Sequence, residues 1–206
     1  MTAYTNFTSD FPGRCLELLD LAHGIASVNG REVTLLLMVA SASLLVPYER
    51  LKPDTDYASH PFGDNRRFVE VANKLKDLMA ENFVGSVLCP GTASSWRLAK
   101  KVQSVDGDLD GWLPKVLFKP LSKERGVSAT LTLVRNALAH GNIYSSGNPI
   151  KDLIFVKEVT TEQADKSRKR VGFEVLSVNH ADFLNFVRAW VTFLNDSKAW
   201  ELRLVA

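Results

Sequence analysis

The stretch from Val33 to Val46 leaves a chain few options, because its only polar side chains are Thr34, Ser41 and Ser43. Wound as a helix it is apolar on nearly every side, so other elements must cover most of its circumference. It falls short of the roughly 20 residues that a bilayer span needs, and it reads as the central, buried helix, with no membrane contact. Pro47 stops or kinks it, since proline has no N–H to offer the turn behind it and crowds the carbonyl four residues back. With 206 residues, 46% of them hydrophobic and 23% charged, the chain can surround such a helix within one domain, 1–206.

The remaining apolar periodicity is mostly helical. Ser9-Asp10-Phe11-Pro12 starts a helix whose Cys15, Leu16, Leu18, Leu19, Ala22 and Ile25 follow helical spacing up to a turn at Asn29-Gly30. Leu51 to Asp64, with prolines and His60 but no periodicity, reads as a long loop. An amphipathic helix follows Asp64-Asn65, through Phe68, Val69, Val71, Ala72, Leu75, Leu78 and Met79. Ser94–Val102 reads as a shorter helix and Gly126–Ala139 as a long one. Leu153–Val159 and Val171–Val178 alternate as two strands of a hairpin around Thr160–Arg170. Asn179, with Asp182 three residues on, caps a closing helix. The expectation is an all-α antiparallel helical bundle with one β-hairpin insert before the last helix.

Charge and motif content exclude several functions. Lys and Arg number 25 against 23 Asp and Glu, a net +2, so contact with nucleic acid has to come from a local patch and not from the field of the whole molecule. Cys15 and Cys89 stand far apart, without disulfide or zinc spacing, and the first ten residues have no secretory pattern, which suits a cytoplasmic protein. The acidic turn Asp106–Gly111 lacks the closing Glu of a calcium loop, so no metal is expected there. No phosphate-binding, dinucleotide, zinc-protease or serine-hydrolase signature occurs, and no cofactor is expected. His23, His60 and His180 lack partners at useful spacing and read as structural or surface residues.

Chemistry concentrates in Arg135-Asn136-Ala-Leu-Ala-His140-Gly141-Asn142-Ile-Tyr144. Val127, Leu131, Val134 and Leu138 fall within about 60° of each other on the helix and turn to the core. Arg135 flanks that stripe. Asn136 and His140, four apart, lie on a second face with Ala129, Leu133 and Ala137, and that face calls for a partner. Gly141 suits the left-handed conformation that ends a helix. A cation, an amide and an imidazole are what RNA cleavage without metal requires: charge stabilisation on the phosphorane, and groups that take and give protons. One histidine serves both proton steps poorly, so a two-fold dimer sharing one cleft is expected. Two basic clusters offer RNA contacts: Lys166, Arg168, Lys169 and Arg170 at the hairpin tip, and Arg97, Lys100 and Lys101 beside Trp96, itself assigned to the core.

The run Arg135-Asn-Ala-Leu-Ala-His140 resembles the Arg, four to six residues, His motif of the HEPN superfamily, small helical proteins that typically dimerise and include many metal-independent ribonucleases of toxin, phage-defence and RNA-processing systems. Its setting late in a helical chain, before a hairpin and a closing helix, is similar to a plasmid- and prophage-associated branch. The resemblance implies an endoribonuclease leaving a 2′,3′-cyclic phosphate, with Arg135, Asn136 and His140 catalytic and Asn142, Tyr144, Lys169 and Arg170 contacting substrate. RNA, a second copy of the chain and an antitoxin or regulatory protein are the implied partners. Members that act with a nucleotidyltransferase antitoxin carry Tyr two residues after the His, where this chain has Asn142. The superfamily also implies an alternative, a non-catalytic RNA- or nucleotide-binding module or a dimeric interaction protein.

Overall fold

The computed structural model describes residues 7–51, 66–90, 95–105, 108–163 and 167–201. The loop expected beyond Leu51, with His60, lies outside these, as do Lys166 and the first two residues of the acidic turn. Helix α1 (Phe7–Val28) ends at Asn29-Gly30, where Gly30 takes a left-handed φ of 63°. Helix α2 (Glu32–Ala40) then runs through a π-helical turn at Ser41–Leu45 directly into α3 (Val46–Leu51).

Pro47 therefore does not stop this helix. The wider π turn in front of it gives its ring room. The N–H that Pro47 lacks would serve the Ser43 carbonyl four residues back, and the indole N–H of Trp190 donates to that oxygen instead, at 2.9 Å. The hydroxyls of Ser41 and Ser43 donate in turn to the Leu37 and Val39 carbonyls. The continuous run Glu32–Leu51 is long and apolar enough, by length and composition, to cross a bilayer, unlike the shorter run read from the sequence. Here Val33, Leu36, Val39, Ala40, Leu44 and Leu51 are buried in the main core.

The expected all-α architecture is overturned by a sheet. After α4 (Arg66–Ala80) come β1 (Arg97–Val102), the short helix α5 (Leu109–Trp112), β2 (Lys119–Pro120), α6 (Val127–His140), β3 (Ile143–Ser146), β4 (Asp152–Glu162), β5 (Arg168–Asn179) and α7 (His180–Glu201). The five strands form one antiparallel sheet in the order β2-β1-β5-β4-β3, so the fold is mixed α and β. The hairpin β4–β5 is the expected one. The helix expected over Ser94–Val102 is strand β1, because Arg97, Leu98 and Ala99 pair with Ser177, Leu176 and Val175. Pairing with an existing strand outweighs a helix-like spacing in so short a segment.

Alternation along the strands gives the sheet two apolar faces. Leu153, Phe155, Leu176 and Val178 join the helices in the main core, where Phe183 and Phe186 of α7 stack and Trp96 meets Phe83 and Phe186 edge-on. Ile154, Val156, Phe173 and Val175 face the other way, under Trp112, Val116 and Phe118. Asn179 caps α7 as expected, its Oδ1 accepting the Asp182 N–H at 2.7 Å. Leu18, Leu21, Ile25 and Val28 of α1 and Met38 of α2 remain exposed beside an apolar groove of about 350 Å³.

Trp190 is fully buried, so replacing its indole by a ring without the N–H strands the Ser43 carbonyl. Trp190→Phe is expected to cost about 1–3 kcal/mol in urea unfolding, the penalty of a buried polar group left without its partner. A loss below about 0.5 kcal/mol would show that another donor serves that oxygen.

Candidate functional site

Helix α6 begins where the Val127 N–H donates to the Glu81 carbonyl and the Phe83 N–H to the Arg125 carbonyl. Val127, Leu131, Val134 and Leu138 are buried, as their stripe requires. The helix ends at Gly141, whose φ of 69° is left-handed and whose N–H returns to the Ala137 carbonyl. The Asn142 N–H reaches the same carbonyl, and the Asn142 carbonyl accepts the Val156 N–H from β4. The last turn, with His140, is thereby fixed to the sheet.

Arg135, Asn136 and His140 share the solvent side of α6. Arg135 and Asn136 are partly buried and His140 is exposed. The Arg135 Nη1 donates to Asn136 Oδ1 at 2.7 Å, and its Nη2 makes an ion pair with Glu49 of α3. The Arg135 Nε is buried without a hydrogen-bond partner among the described residues. One turn before, Tyr48 and Thr132 share a hydrogen bond between hydroxyls of 3.3 Å. Of these two contacts from α3, Glu49 holds the guanidinium and Tyr48 ties α3 to α6 beside it. Asn136 and His140, as an i, i+4 pair, have Cβ atoms about 5–6 Å apart.

The second face of α6 is not the partner surface expected from the sequence. Leu133 and Ala137 are fully buried within this chain, where the helix packs on β4; of that face Ala129 and His140 are exposed and Asn136 is partly so. The open surface around Arg135, Asn136 and His140 comprises Ser128, Ala129, Thr132 and Ala139, all small or polar.

The four residues expected to contact substrate separate into three places. Asn142 is exposed beside the helix end, with both backbone polar groups engaged. Tyr144 lies half-buried on the sheet's outer face, edge-on to Trp112 at 5.3 Å. Lys169 and Arg170 are exposed near the start of β5. Lys169 pairs with Thr161, five positions along β4 from Val156, which at ~3.4 Å per residue is roughly 17 Å of strand. The hairpin end is thus no part of the Arg135 cluster.

Sequence reasoning missed two charged partners. Glu49 lies beyond Pro47, where the helix was expected to stop. Arg125, just before α6, is 9% exposed and binds both carboxylate oxygens of Glu174, at 3.1 and 3.4 Å, and the Ala129 carbonyl at 3.0 Å. Neither position belongs to a motif. Of the other histidines, His23 and His180 line a water-sized cavity with Glu32, and among the described residues no group of three or more His, Cys, Asp or Glu is arranged to hold a metal. Cys15 and Cys89 are free and buried; burial pushes both thiols above their ordinary value, with the Asp182 charge adding to the rise at Cys89. Neither is set up as a nucleophile.

Exposure separates the energetics of the two ion pairs. Arg135 and Glu49 keep 25% and 37% of their side-chain surface, whereas Arg125 and Glu174 keep 7% and 18%. Glu49→Ala is expected to change unfolding free energy by under about 1 kcal/mol, and Arg125→Ala to lower it by about 3 kcal/mol or more. Equal losses in chemical denaturation would refute this ranking.

A family model described as HEPN pEK499 p136 matches residues 1–199. No curated protein and no solved structure matches the chain.

Proposed function

The chain belongs to this HEPN family, whose domains commonly bind RNA and dimerise, and on that premise we propose that it is a metal-independent endoribonuclease acting as a dimer. The observation that carries the proposal is the grouping of Arg135, Asn136 and His140 on one solvent-facing surface of α6, with the guanidinium held by Asn136 and Glu49. Arg135 stabilises the charge that builds on the phosphorane, His140 moves protons between the 2′-hydroxyl and the leaving oxygen, and Asn136 orients the pair. Glu49 is a positioning residue: it acts through the guanidinium it pairs with. A two-fold partner meeting the small, polar surface of Ser128, Ala129, Thr132 and Ala139 supplies a second His140, so that one imidazole takes a proton while the other gives one. A toxin or phage-defence setting, with an antitoxin or regulatory protein, fits such an activity.

The Glu49 pair also favours a second reading. A guanidinium already neutralised by a carboxylate suits a module that holds RNA without cutting it, with Arg135 as a structural partner of α3.

The deciding experiment incubates RNA with the purified protein in EDTA, beside Arg135→Ala and His140→Ala, and reads product ends. Cleavage to 2′,3′-cyclic phosphate ends by the parent, lost by about 100-fold or more in both variants, is the expected result. Intact RNA at high protein concentration, or equal cutting by all three, would replace the nuclease with the binding module.

A further inference from the structure

The outer face of the sheet carries a cavity of about 510 Å³ between the end of β1 and the segment after α5, a volume in the range of sites that hold small ligands or single ligand units. Lys100, Lys101 and Lys115 line it together with Gln103, Trp112 and Leu117, and among the described residues no carboxylate lines it. Three cations around a concave, partly apolar wall focus a positive potential that the net charge of the chain does not reveal.

The backbone is bent to achieve this. Successive residues of a regular strand point to opposite faces, yet Lys100 and Lys101 both reach the cavity. They do so because β1 is irregular between Ala99 and Val102, and Lys101 sits at a φ of 59°, a left-handed conformation that non-glycine residues adopt at a cost. Gly172 of β5 permits the distortion. Its φ is 142°, and a Cβ there would come within 3.0 Å of the Val102 carbonyl oxygen.

Cations and aromatic rings continue along this face. The Arg170 guanidinium lies over the Phe173 ring at 5.3 Å, and that of Arg97, which also pairs with Asp152 at 3.6 Å, lies over Phe118 at 5.9 Å. Trp112 both lines the cavity and meets Tyr144 of β3, the strand that follows His140 and Asn142. From β3 to β1 is three strand spacings, roughly 14 Å.

We infer that the outer face of the sheet is a binding surface for single-stranded RNA, in which Lys100, Lys101 and Lys115 grip the phosphate of one nucleotide in the cavity while the strand runs on past Arg170. The exposed Lys169 and Arg170 beyond the cavity favour a strand over a free nucleotide, and the guanidinium of Arg170 over the Phe173 ring suits unstacked bases. This deepens the RNA reading of α6 without resting on cleavage, since none of its residues belongs to the Arg135 cluster.

The test measures binding of a fluorescent single-stranded RNA of about twelve nucleotides by anisotropy, in the His140→Ala background so that the probe stays intact. Adding Lys100→Gln, Lys101→Gln and Lys115→Gln is expected to weaken binding at least tenfold and to flatten the dependence of log affinity on log salt by about 0.7, the share of one phosphate on a single strand. The triple Lys→Arg variant is expected to bind like its parent, and thermal melts of both triples to match it. Unchanged affinity and salt slope in the glutamine variant would overturn the proposal, as would lysine-dependent binding of AMP or ATP without binding of the RNA. Lysine-dependent RNA binding by a protein that fails to cut RNA would leave this surface standing and remove the nuclease.

Discussion

The hydrogen bond from the Trp190 indole to the Ser43 carbonyl, at 2.9 Å, resolves the conflict that the most apolar segment of the chain creates. A helix that has to be buried on nearly all sides carries a proline, and so a carbonyl without its usual donor, at the centre of the core. An unpaired oxygen there would cost more than most single contacts return. The fold brings Trp190 of α7, a side chain that couples a large apolar surface to an N–H, against that oxygen. Closing the core around α2 and satisfying its backbone are thus a single event.

The site depends on the same irregularity. A π turn accommodates one residue more than an α turn, and inserting one residue rotates everything after it by about 100°. The face that α3 presents to α6 is therefore set by the turn at Ser41–Leu45. That face carries Tyr48 to Thr132 and Glu49 to Arg135. A straight helix would aim a different pair of side chains at α6, and Arg135 would keep only Asn136. The guanidinium is positioned by a device that lies outside the motif containing it.

This explains which parts of the molecule could be read from the sequence. The core stripe of α6, its glycine stop and the Asn179 cap follow from local rules, and each stands where those rules put it. The hairpin shows its alternation openly. Strands β1, β2 and β3 do not, because two are very short or flanked by turns and the third, β1, is interrupted by two lysines on one face. They exist because β4 and β5 offer free edges to pair with, a tertiary fact that no local window contains. The second face of α6 was misjudged for the same reason. Leu133 and Ala137 do need a partner, and they find it inside this chain, where α6 packs on β4; the hairpin was legible, but that it folds back onto α6 was not. Glu49 was hidden by a proline rule that is sound for an α-helix and fails where a π turn precedes the ring.

Net charge is equally uninformative, since +2 averages two opposite arrangements. On α6 the cation is met by a carboxylate and an amide oxygen. Its field is thereby confined, so Arg135 acts on what touches it and attracts little from a distance. On the outer face of the sheet three lysines line a cavity that no described carboxylate lines, and their field extends into solvent. A polyanion approaching this protein meets the second arrangement first. Trp112 and Tyr144 connect that face to the strand that begins just beyond His140. The sheet therefore serves two faces at once: one side packs on α6 and the other carries the lysine-lined cavity.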